Sequence, residues 1–513
     1  MNKRNYIAAI IDIGSHVVRL DISEIKNNST ISPLESLSRP ITLGFDVFRY
    51  GSVSTHTMDQ LITILKAYQN KIKEYQVTQI RIIATSAIRE AFNRELIADR
   101  IKRETNLNLE VLESQQEIMY VFSAMKDVLQ KKHIYPQEKT IAIVLGAGSI
   151  FVFATNQGQM QFCEEIPLGT VRLYDAFGHS EVTLSRLAEA LHSPDIPRRM
   201  LECANITPSD EVNLIVMGAA SRMLSAITLK TVPPDENSYH ILDVNSFILT
   251  LSNAVSGNIG KFADTLQISP EDGLALEAGA VILKYFTDKF NCKNVICPGV
   301  TTRSSLLLDF IKSDSSLNKE FLPDLISICS SIAKKYGADI KHSHTVHSIS
   351  IKLLEKLKRD FSFNPRAEFL LAGAAYLHDI GRFVDTRSHH LHSAYLIANM
   401  QLPGITQAER KIISLLARYH RKEEPLDIHL DFMQLAAEDK VTVLKLAAII
   451  RVADALDSSR CNRFAQIEMR RSGNTIFLTT LETDTFLEKL KLESKGKLFT
   501  RVFGLEVKLE SAL

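Results

Sequence analysis

One pattern of apolar runs and glycines occurs twice in this chain, and it limits the fold more than any other feature. Residues 7–22 (IAAIIDIGSHVVRLDI) and 140–155 (TIAIVLGAGSIFVFAT) each contain an apolar run, a turn with glycine and serine, and a second apolar run. Such a segment is typical of a β-hairpin. Alternating strand and helix segments follow each hairpin, so the sequence predicts a duplicated α/β unit with a cleft between its halves.

The two glycine turns can be aligned with each other. Gly14 falls on Gly146, whereas Asp12 falls on Val144. Turns of this kind, aimed into a cleft, present backbone N–H groups that bind phosphate oxygens, and a carboxylate such as Asp12 can hold a divalent metal. A single Asp-Ile-Gly-Ser turn is more often a plain hairpin turn. The duplicated context is what favours phosphate binding.

The rest of the chain divides by composition. Residues 313–324 (SDSSLNKEFLPD) are polar and rich in helix breakers, which predicts a linker. Beyond it the apolar spacing is helical to about Asp457, and from Ala465 onward alternating stretches predict a small strand-rich piece. The predicted domains are residues 1–130, 131–312, 320–460 and 461–513.

Composition narrows the classes of function. The 513 residues include 60 basic and 59 acidic side chains, and this formal net charge of +1 argues against binding nucleic acid by bulk electrostatics. The six cysteines contain no CxxC pair, which indicates reduced thiols. The first apolar run reaches Asp12 too soon for a signal peptide, and charges interrupt the most apolar helices. We expect a cytoplasmic protein with neither a membrane nor a specific nucleic acid as partner.

Histidines and aspartates in the C-terminal half have the spacing of a metal site. His342 stands near the start of a predicted helix, and the pair His378-Asp379 ends an apolar helix. Asp454 lies on a third helix. An adjacent histidine and aspartate are costly to bury unless something coordinates them, and a divalent metal accepts both imidazole and carboxylate. Each histidine alone is more often an ordinary residue, whereas the set of four favours a metal site.

Several N-terminal motifs together resemble one enzyme family. The segments IDIGSHVVRL, ATSAIREAFN and IPLGTVRL, the helix that carries Glu117 and the second glycine hairpin are similar, in this order, to the exopolyphosphatase/guanosine pentaphosphate phosphatase (Ppx/GppA) family. The resemblance implies two actin-like (ribonuclease-H-like) domains. It also implies release of terminal phosphate from polyphosphate or pppGpp with magnesium, and a homodimer.

The resemblance assigns roles residue by residue. Glu117 matches the carboxylate that acts as base toward the attacking water, and Arg89 matches a basic residue near the bound phosphates. The positions that match phosphate-binding residues are Asp12, Gly14, Ser15, Gly146, Gly148, Ser149 and Arg303.

This chain also departs from the family pattern. Val144 and Phe151 replace the two acidic residues of the second phosphate loop, His16-Val17 replaces the usual Asn-Ser, and Ser304-Ser305 replaces Glu-Gly after Arg303. Aliphatic and aromatic side chains cannot bind magnesium. The usual metal arrangement is therefore not expected in this cleft, and binding of a phosphate chain or nucleotide is favoured there over hydrolysis.

A second resemblance covers the helical half. The order His, His-Asp, Asp and the tetrapeptide HDIG resemble the HD phosphohydrolase superfamily, as found in long Ppx/GppA members. The implied ligands of a divalent metal (Mg²⁺, Mn²⁺ or a transition metal) are His342, His378, Asp379 and Asp454. The implied second-metal or phosphate contacts are His389, His392 and His420. Independently of this resemblance, the charge run that contains Arg418, His420, Arg421 and Lys422 is expected to flank an anionic substrate near the metal.

The leading hypothesis is a phosphohydrolase that releases terminal phosphate from polyphosphate or pppGpp-type nucleotides, with a partly degenerate N-terminal active site. Its fold would be two actin-like domains, a helical HD domain and a small α+β C-terminal domain. One alternative places all hydrolysis in the HD domain and makes the N-terminal cleft a sensor. Another is a non-enzymatic regulator that binds polyphosphate or guanosine polyphosphates.

Overall fold

A computed structural model of the chain describes residues 5–26, 30–177, 195–207, 209–256, 270–311, 314–421, 424–425, 429–464, 467–482 and 484–511. The chain forms two compact units, Met1–Glu320 and Phe321–Leu513. Among the described residues, no helix has both the length and the apolar character needed to cross a membrane.

The first unit begins with a five-stranded sheet of order β3-β2-β1-β4-β5. Strands β1 to β3 are antiparallel, and β4 and β5 add to β1 in parallel. The strands are β1 (Tyr6–Ile13), β2 (Val17–Lys26), β3 (Thr30–Pro40), β4 (Gln79–Ala84) and β5 (Leu109–Val111). The helices that accompany them are α1 (Leu43–Tyr50), α2 (Thr55–Glu74), α3 (Ser86–Glu90), α4 (Arg94–Thr105) and α5 (Ser114–Lys131).

A second sheet in the same unit has the order β10-β11-β9-β6-β7-β8. Its strands are β6 (Thr140–Leu145), β7 (Ile150–Asn156), β8 (Gln159–Ile166), β9 (Val212–Met217), β10 (Tyr239–Leu242) and β11 (Cys292–Pro298). Its helices are α6 (Thr170–Phe177), α7 (Asp195–Cys203), α8 (Ala219–Leu229), α9 (Val244–Val255), α10 (Pro270–Thr287) and α11 (Thr302–Ile311).

The predicted duplication is confirmed at the level of single hydrogen bonds. In the first hairpin Gly14 N–H donates to the carbonyl of Val17 at 3.1 Å, and in the second Gly146 N–H donates to the carbonyl of Ser149 at 2.9 Å. Each hairpin is followed by a parallel strand that pairs with its first strand. The inner strands β1 and β6 are largely buried, and their sequences are nearly continuous apolar runs because other elements cover both faces of each sheet. The two actin-like domains are therefore present.

The second unit begins within α12 (Asp314–Lys335), which corrects the predicted linker at residues 313–324. Pro323 lies inside this helix, although proline removes a backbone hydrogen bond. Phe321, Leu325 and Cys329 are fully buried at helical spacing. The burial of this apolar stripe outweighs the local breaker signal. Residue 313 itself lies outside the described residues.

The helices that follow α12 carry the predicted metal ligands. They are α13 (Ile340–Leu357), α14 (Ala367–Leu377), a 3₁₀ turn (Ile380–Phe383), α15 (His389–Asn399), α16 (Gln407–Tyr419), α17 (Leu430–Met433) and α18 (Ala437–Leu456). His342 lies in the first turn of α13, where the Asp339 side chain caps the helix. The predicted helices over these segments are confirmed.

The C-terminal end is only partly strand-rich. Strands β12 (Glu468–Ser472), β13 (Thr475–Thr480) and β14 (Glu506–Ser511) form a small sheet, in which β12 is antiparallel and β14 parallel to β13. Between β13 and β14 run α19 (Phe486–Lys495) and α20 (Lys497–Phe503), both packed on α18. This is the predicted small α+β element, although the pattern-based prediction missed its helices.

Candidate functional site

Both glycine turns of the first unit open onto one cavity of about 290 Å³. The predicted residues that line it are Asp12, Gly14, Ser15, Glu117, Gly146, Ser149 and Arg303. Arg89 and Gly148 stand just behind the lining. Gly148 packs against Ser86 and Phe48, so closely that an added Cβ would lie 2.5 Å from the Ser86 hydroxyl.

Arg89 and Glu117 are paired with each other. The Arg89 guanidinium donates to Glu117 Oε2 at 3.1 Å, to Glu165 Oε1 at 3.1 Å and to the Leu112 carbonyl at 3.0 Å. Burial raises the pKa of Glu117, and Arg89 opposes that shift. A raised pKa suits a general base near neutral pH. Arg89, by contrast, already donates hydrogen bonds to two carboxylates, Glu117 and Glu165.

Arg303 is held by carboxylates as well. Its Nε donates to Asp21 Oδ2 at 2.5 Å, and its Nη1 lies 3.5 Å from Asp12 Oδ2. Burial lowers the pKa of Arg303, but Asp12 and Asp21 outweigh this effect and raise it. Asp21 was missed in the sequence. The sequence did contain a signal for the position of Asp21. Side chains two residues apart on a strand share a face, so Asp21 lies on the same face of β2 as Arg19, which pairs with Asp12 on β1.

The motif IPLGTVRL supports the second loop from behind. The backbone N–H groups of Thr170 and Val171, at the start of α6, donate to the carbonyls of Gly146 and Ala147 at 3.0 and 2.9 Å. Arg172 Nε donates to the Gly148 carbonyl at 2.9 Å. The motif therefore fixes the backbone of the loop by saturating its carbonyls.

Gly169 allows this close approach, and substitution there gives a testable result. An added Cβ would lie 2.2 Å from the carbonyl carbon and oxygen of Ala147, which are backbone atoms that cannot move aside cheaply. We expect Gly169→Ala to cost about 1–3 kcal/mol, as overpacking does, and to lower the midpoint of thermal unfolding by several degrees. Gly473→Ala is the comparison, because its Cβ meets nothing within 4 Å and adds only the cost of a positive φ of 55°. Equal midpoints for the two variants would contradict the steric explanation.

The charges around the cavity nearly cancel. The cationic side chains in or directly behind the lining are Arg19, Arg89, Arg222 and Arg303. The anionic ones are Asp12, Asp21, Glu117, Glu165 and Glu236. Val144 and Phe151 line the same cavity and offer no ligand atom. A polyanion would therefore meet little net positive charge from these described side chains.

In the second unit, the four predicted metal ligands converge. His342 Nε2 lies 3.3 Å from His378 Nε2 and 3.3 Å from Asp454 Oδ1. His378 Nε2 lies 3.8 Å from Asp379 Oδ1 and 3.9 Å from Asp454 Oδ1. The two histidines and Asp379 are buried, and Asp454 is 13% exposed. Three helices far apart in sequence thus present their polar groups to one point.

Two further histidines extend this cluster. His389 Nε2 lies 3.1 Å from Asp379 Oδ1 and 3.3 Å from His420 Nε2. Asp379 therefore belongs to two groups that could each hold a metal ion, one with His342 and His378 and one with His389 and His420.

The glycine of HDIG explains how His389 arrives there. A Cβ on Gly381 would lie 2.2 Å from the His389 carbonyl oxygen, so only glycine lets α15 pack this close. Gly381 N–H also donates to the Ser393 hydroxyl at 2.8 Å. His392, the third histidine of this stretch, is in neither of the two metal-ligand groups found among the described residues.

The second ring nitrogen fixes the tautomer of two of these histidines. Nδ1 of His378 lies 2.8 Å from the carbonyl oxygen of Ala375, and Nδ1 of His420 lies 2.6 Å from that of Ala417. A carbonyl oxygen only accepts, so Nδ1 carries the proton and the Nε2 lone pair faces the cluster. Burial lowers the pKa of both His378 and His420. Neutral imidazoles oriented in this way can bind a divalent metal through Nε2.

Asp457 orients the His342 ring from outside and was not predicted. Burial lowers the pKa of His342, but Asp454 and Asp457 outweigh this effect and raise it to about 9, so a metal at Nε2 would displace a proton. Its Oδ2 lies 2.7 Å from His342 Nδ1, and its Oδ1 accepts from the Asn462 N–H at 2.9 Å. Asp457 is completely buried. Its position three residues after Asp454, on the same helical face, was the signal available in the sequence.

Each aspartate of the cluster also contacts a cation through its other oxygen. Lys495 Nζ donates to Asp454 Oδ2, and Arg460 Nη2 donates to Asp379 Oδ2. Burial opposes ionisation of both aspartates, yet these cations and the nearby histidines hold their pKa values well below the ordinary value. Both carboxylates are therefore ionised, as metal binding requires.

The basic residues predicted to flank a substrate are partly in place. Arg421 Nη1 lies 3.1 Å from His389 Nδ1. Arg418 points elsewhere, with Nη1 at 4.0 Å from Asp431. Lys422 lies outside the described residues. As a donor set, imidazole nitrogens and two carboxylates in a buried cluster fit a divalent metal.

Comparison with known proteins covers most of the chain. The Ppx/GppA phosphatase family model matches residues 22–314, and the model for Ppx/GppA phosphatase domain III matches residues 327–496. A guanosine-5'-triphosphate,3'-diphosphate pyrophosphatase of Aliivibrio fischeri is 20% identical over 457 residues, 86% of each chain. The Aeromonas hydrophila protein of that name is 21% identical, with 95% of this chain and 92% of its own covered.

A solved structure has a similar fold. The exopolyphosphatase of Cytophaga hutchinsonii covers 60% of this chain and 97% of its own, with a TM-score of 0.53 and 16% identity. At that identity the likeness supports the fold alone.

Proposed function

Because this chain belongs to the Ppx/GppA phosphatase family, we propose that it releases terminal phosphate from a polyanionic substrate, either polyphosphate or a pppGpp-type nucleotide. Relatives named as guanosine-5'-triphosphate,3'-diphosphate pyrophosphatases and as an exopolyphosphatase support this substrate class. The chemistry would be hydrolysis of a phosphate bond by an oriented water molecule.

The geometry favours the histidine–aspartate cluster of the second unit as the place of hydrolysis. One observation carries this assignment: imidazole Nε2 atoms and two ionised carboxylates converge, while carbonyl oxygens and Asp457 orient the rings from outside. Metal-binding histidines almost always have such outer partners. Among the described residues, the N-terminal cleft has no comparable set of metal ligands and little net positive charge to attract a polyanion.

The residues of the cluster divide into two sets. The ligands of a first divalent metal would be His342, His378, Asp379 and Asp454, and those of a second would be Asp379, His389 and His420. A divalent metal at such a site supplies a nucleophile at neutral pH and polarises a phosphoryl oxygen. The surrounding helices exclude bulk water from the buried histidines, which strengthens every charge interaction with the substrate.

Metal content of the purified full-length protein tests this assignment. We expect at least about one equivalent of divalent metal per chain, and loss of it in His342→Ala, because that ring touches both His378 and Asp454. His344→Ala is the matched control, since His344 is an exposed histidine on the same helix. Wild-type protein that stays metal-free in manganese and in zinc would overturn the proposal.

A second candidate places hydrolysis in the N-terminal cleft. Glu117 favours it, because this carboxylate lines the cavity and burial raises its pKa toward the range of a general base. In the first proposal the same cleft binds a phosphate chain or nucleotide without turnover and acts as a sensor. A protein that binds at both sites and releases no phosphate would be a regulator instead of an enzyme.

Two further expectations have support only from the sequence. The homodimer is implied by the family resemblance, and a cytoplasmic location is inferred from the reduced cysteines. Both stay predictions, and sedimentation of the full-length chain tests the first of them.

A further inference from the structure

We propose that Lys495 and Arg460 form a phosphate-binding site beside the metal cluster. The proposal rests on the proposed function, because it concerns the same cluster. It assigns to the C-terminal helix α19 and to the turn after α18 a direct part in substrate binding.

The charge balance of the cluster is the first argument. Each aspartate turns Oδ1 toward an imidazole, at 3.3 Å for Asp454 to His342 and 3.1 Å for Asp379 to His389. Each turns Oδ2 toward a cation. The charges of the two carboxylates are thus already matched by Lys495 and Arg460. The buried carboxylate of Asp457, which contacts His342, offsets one charge of a bound divalent metal. The remaining positive charge lies in a low-dielectric site, and an anionic ligand must balance it.

The hydrogen-bonding capacity of Lys495 is the second argument. An ammonium group carries three donors. Among the described residues, Asp454 is the acceptor that Lys495 Nζ contacts, and the lysine side chain is only 11% exposed. A nearly buried ammonium with donors to spare is costly. Phosphate oxygens, which are strong acceptors for charged donors, would satisfy them.

The third argument is that the protein fixes Lys495 in place. The buried guanidinium of Arg451 donates to the carbonyl of Lys495 at 3.5 Å and to the carbonyl of Tyr419, the residue before His420, at 2.8 Å. Arg451 lies on α18, one turn before Asp454. One buried side chain therefore ties the lysine and the histidine to the helix that carries the aspartate. This explains why a charge interrupts the otherwise apolar helix.

Arg460 is fixed by a turn with a positive φ. Its φ is 56°, which is unfavourable for a residue with a Cβ. Asp457 holds the turn by accepting from the Arg460 N–H at 3.0 Å through its carbonyl and from the Asn462 N–H at 2.9 Å through its side chain. Glu488, buried on α19, accepts from the Ser459 N–H at 3.3 Å. A strained turn that several contacts over-determine is typical of a functional position.

A different role for Lys495 makes the opposite prediction. If Lys495 only orients Asp454, its removal weakens metal binding. If it binds phosphate, its removal weakens anion binding and leaves the metal in place. The two roles can be separated because a metal-loaded protein can be titrated with inorganic orthophosphate, which is a product and cannot be hydrolysed further.

The test is calorimetric titration of orthophosphate into full-length wild type and Lys495→Met, with and without manganese. A hydrogen bond between charged groups contributes about 1.5–3 kcal/mol, so we expect Lys495→Met to weaken orthophosphate binding at least about tenfold with unchanged manganese stoichiometry. Lys495→Arg should restore most of the affinity. Lys491→Met is the matched control, because Lys491 is exposed on the same helix.

Arg460→Met is the second variant. Arg460 is 30% exposed, so this change removes a charge without emptying the core, and it should also weaken orthophosphate binding. Unchanged orthophosphate affinity in both variants would overturn the proposal, and so would loss of manganese from Lys495→Met. Titration of orthophosphate into the metal-free protein distinguishes failure of this phosphate-site proposal from failure of the proposed hydrolytic function. Lysine-dependent orthophosphate binding there would support this site even if no phosphate were ever released.

Discussion

In the Asp379→Ala variant we expect release of phosphate from polyphosphate and from pppGpp to fall by more than about 100-fold. Asp379 is the residue shared by the two candidate metal groups, so its loss damages both. Removing a partner in the outer shell of a metal site already costs about 10- to 100-fold, and a shared ligand should cost more. The measurement is the initial rate of phosphate release in manganese and in magnesium, with metal content determined on the same samples.

Glu117→Gln is the informative comparison for Asp379→Ala. The exchange keeps the shape of the side chain and removes the cavity-lining carboxylate whose pKa is raised by burial and that the family resemblance assigns as the base. If hydrolysis takes place in the second unit, Glu117→Gln should retain most of the rate. A rate that collapses in Glu117→Gln and persists in Asp379→Ala would contradict our assignment and establish the N-terminal cleft as the active site.

The parts of the fold that the sequence predicted are those determined by local patterns. The two hairpins follow from apolar runs and glycine turns, and both are present with matching hydrogen bonds. The linker prediction failed because the local sequence favours a helix break, whereas packing in the folded protein favours a helix. Asp314 and Pro323 look like breakers, but the burial of Phe321 and Cys329 fixes the segment as a helix. A local sequence pattern does not show which residues will be buried by distant parts of the chain.

The same division applies to the site. The candidate ligands His342, His378 and Asp379 were predictable because their residue types and spacing single them out without knowledge of their neighbours. Lys495 and Arg460 were not, since their importance depends on where α19 and one strained turn place them relative to two carboxylates. Nothing in the local sequence around a lysine on an amphipathic helix distinguishes it from a surface residue.

In the first unit, the observed contacts alter the role expected of two arginines that the family resemblance identified. Arg89 and Arg303 stand where phosphate-binding arginines are expected, but each lies between two carboxylates. One of those carboxylates, Asp21, was invisible to motif comparison. With Val144 and Phe151 in place of two acidic residues, the cleft keeps its backbone turns and has fewer carboxylates that could hold a metal, although Asp12 and Glu117 remain. This difference agrees with our proposal that hydrolysis takes place in the second unit.

The last prediction concerns Asp457, which touches no candidate metal position and still should control metal affinity. In Asp457→Asn the amide oxygen can keep accepting from the Asn462 N–H. The amide nitrogen, however, is a donor and cannot accept from His342 Nδ1. His342 would then favour the other tautomer, with the proton on Nε2, the atom that faces His378 and Asp454. We expect metal affinity about 10- to 100-fold weaker.

Competition with a metallochromic indicator measures this affinity in the full-length protein. Asp431→Asn is the matched control, because Asp431 is 64% exposed in the same unit and should leave metal affinity unchanged. Circular dichroism must match that of the wild type, so that a weakened site is distinguished from an unfolded one. Unchanged affinity in Asp457→Asn would mean that the tautomer of His342 does not matter, and His342 would then have to be removed from the set of ligands.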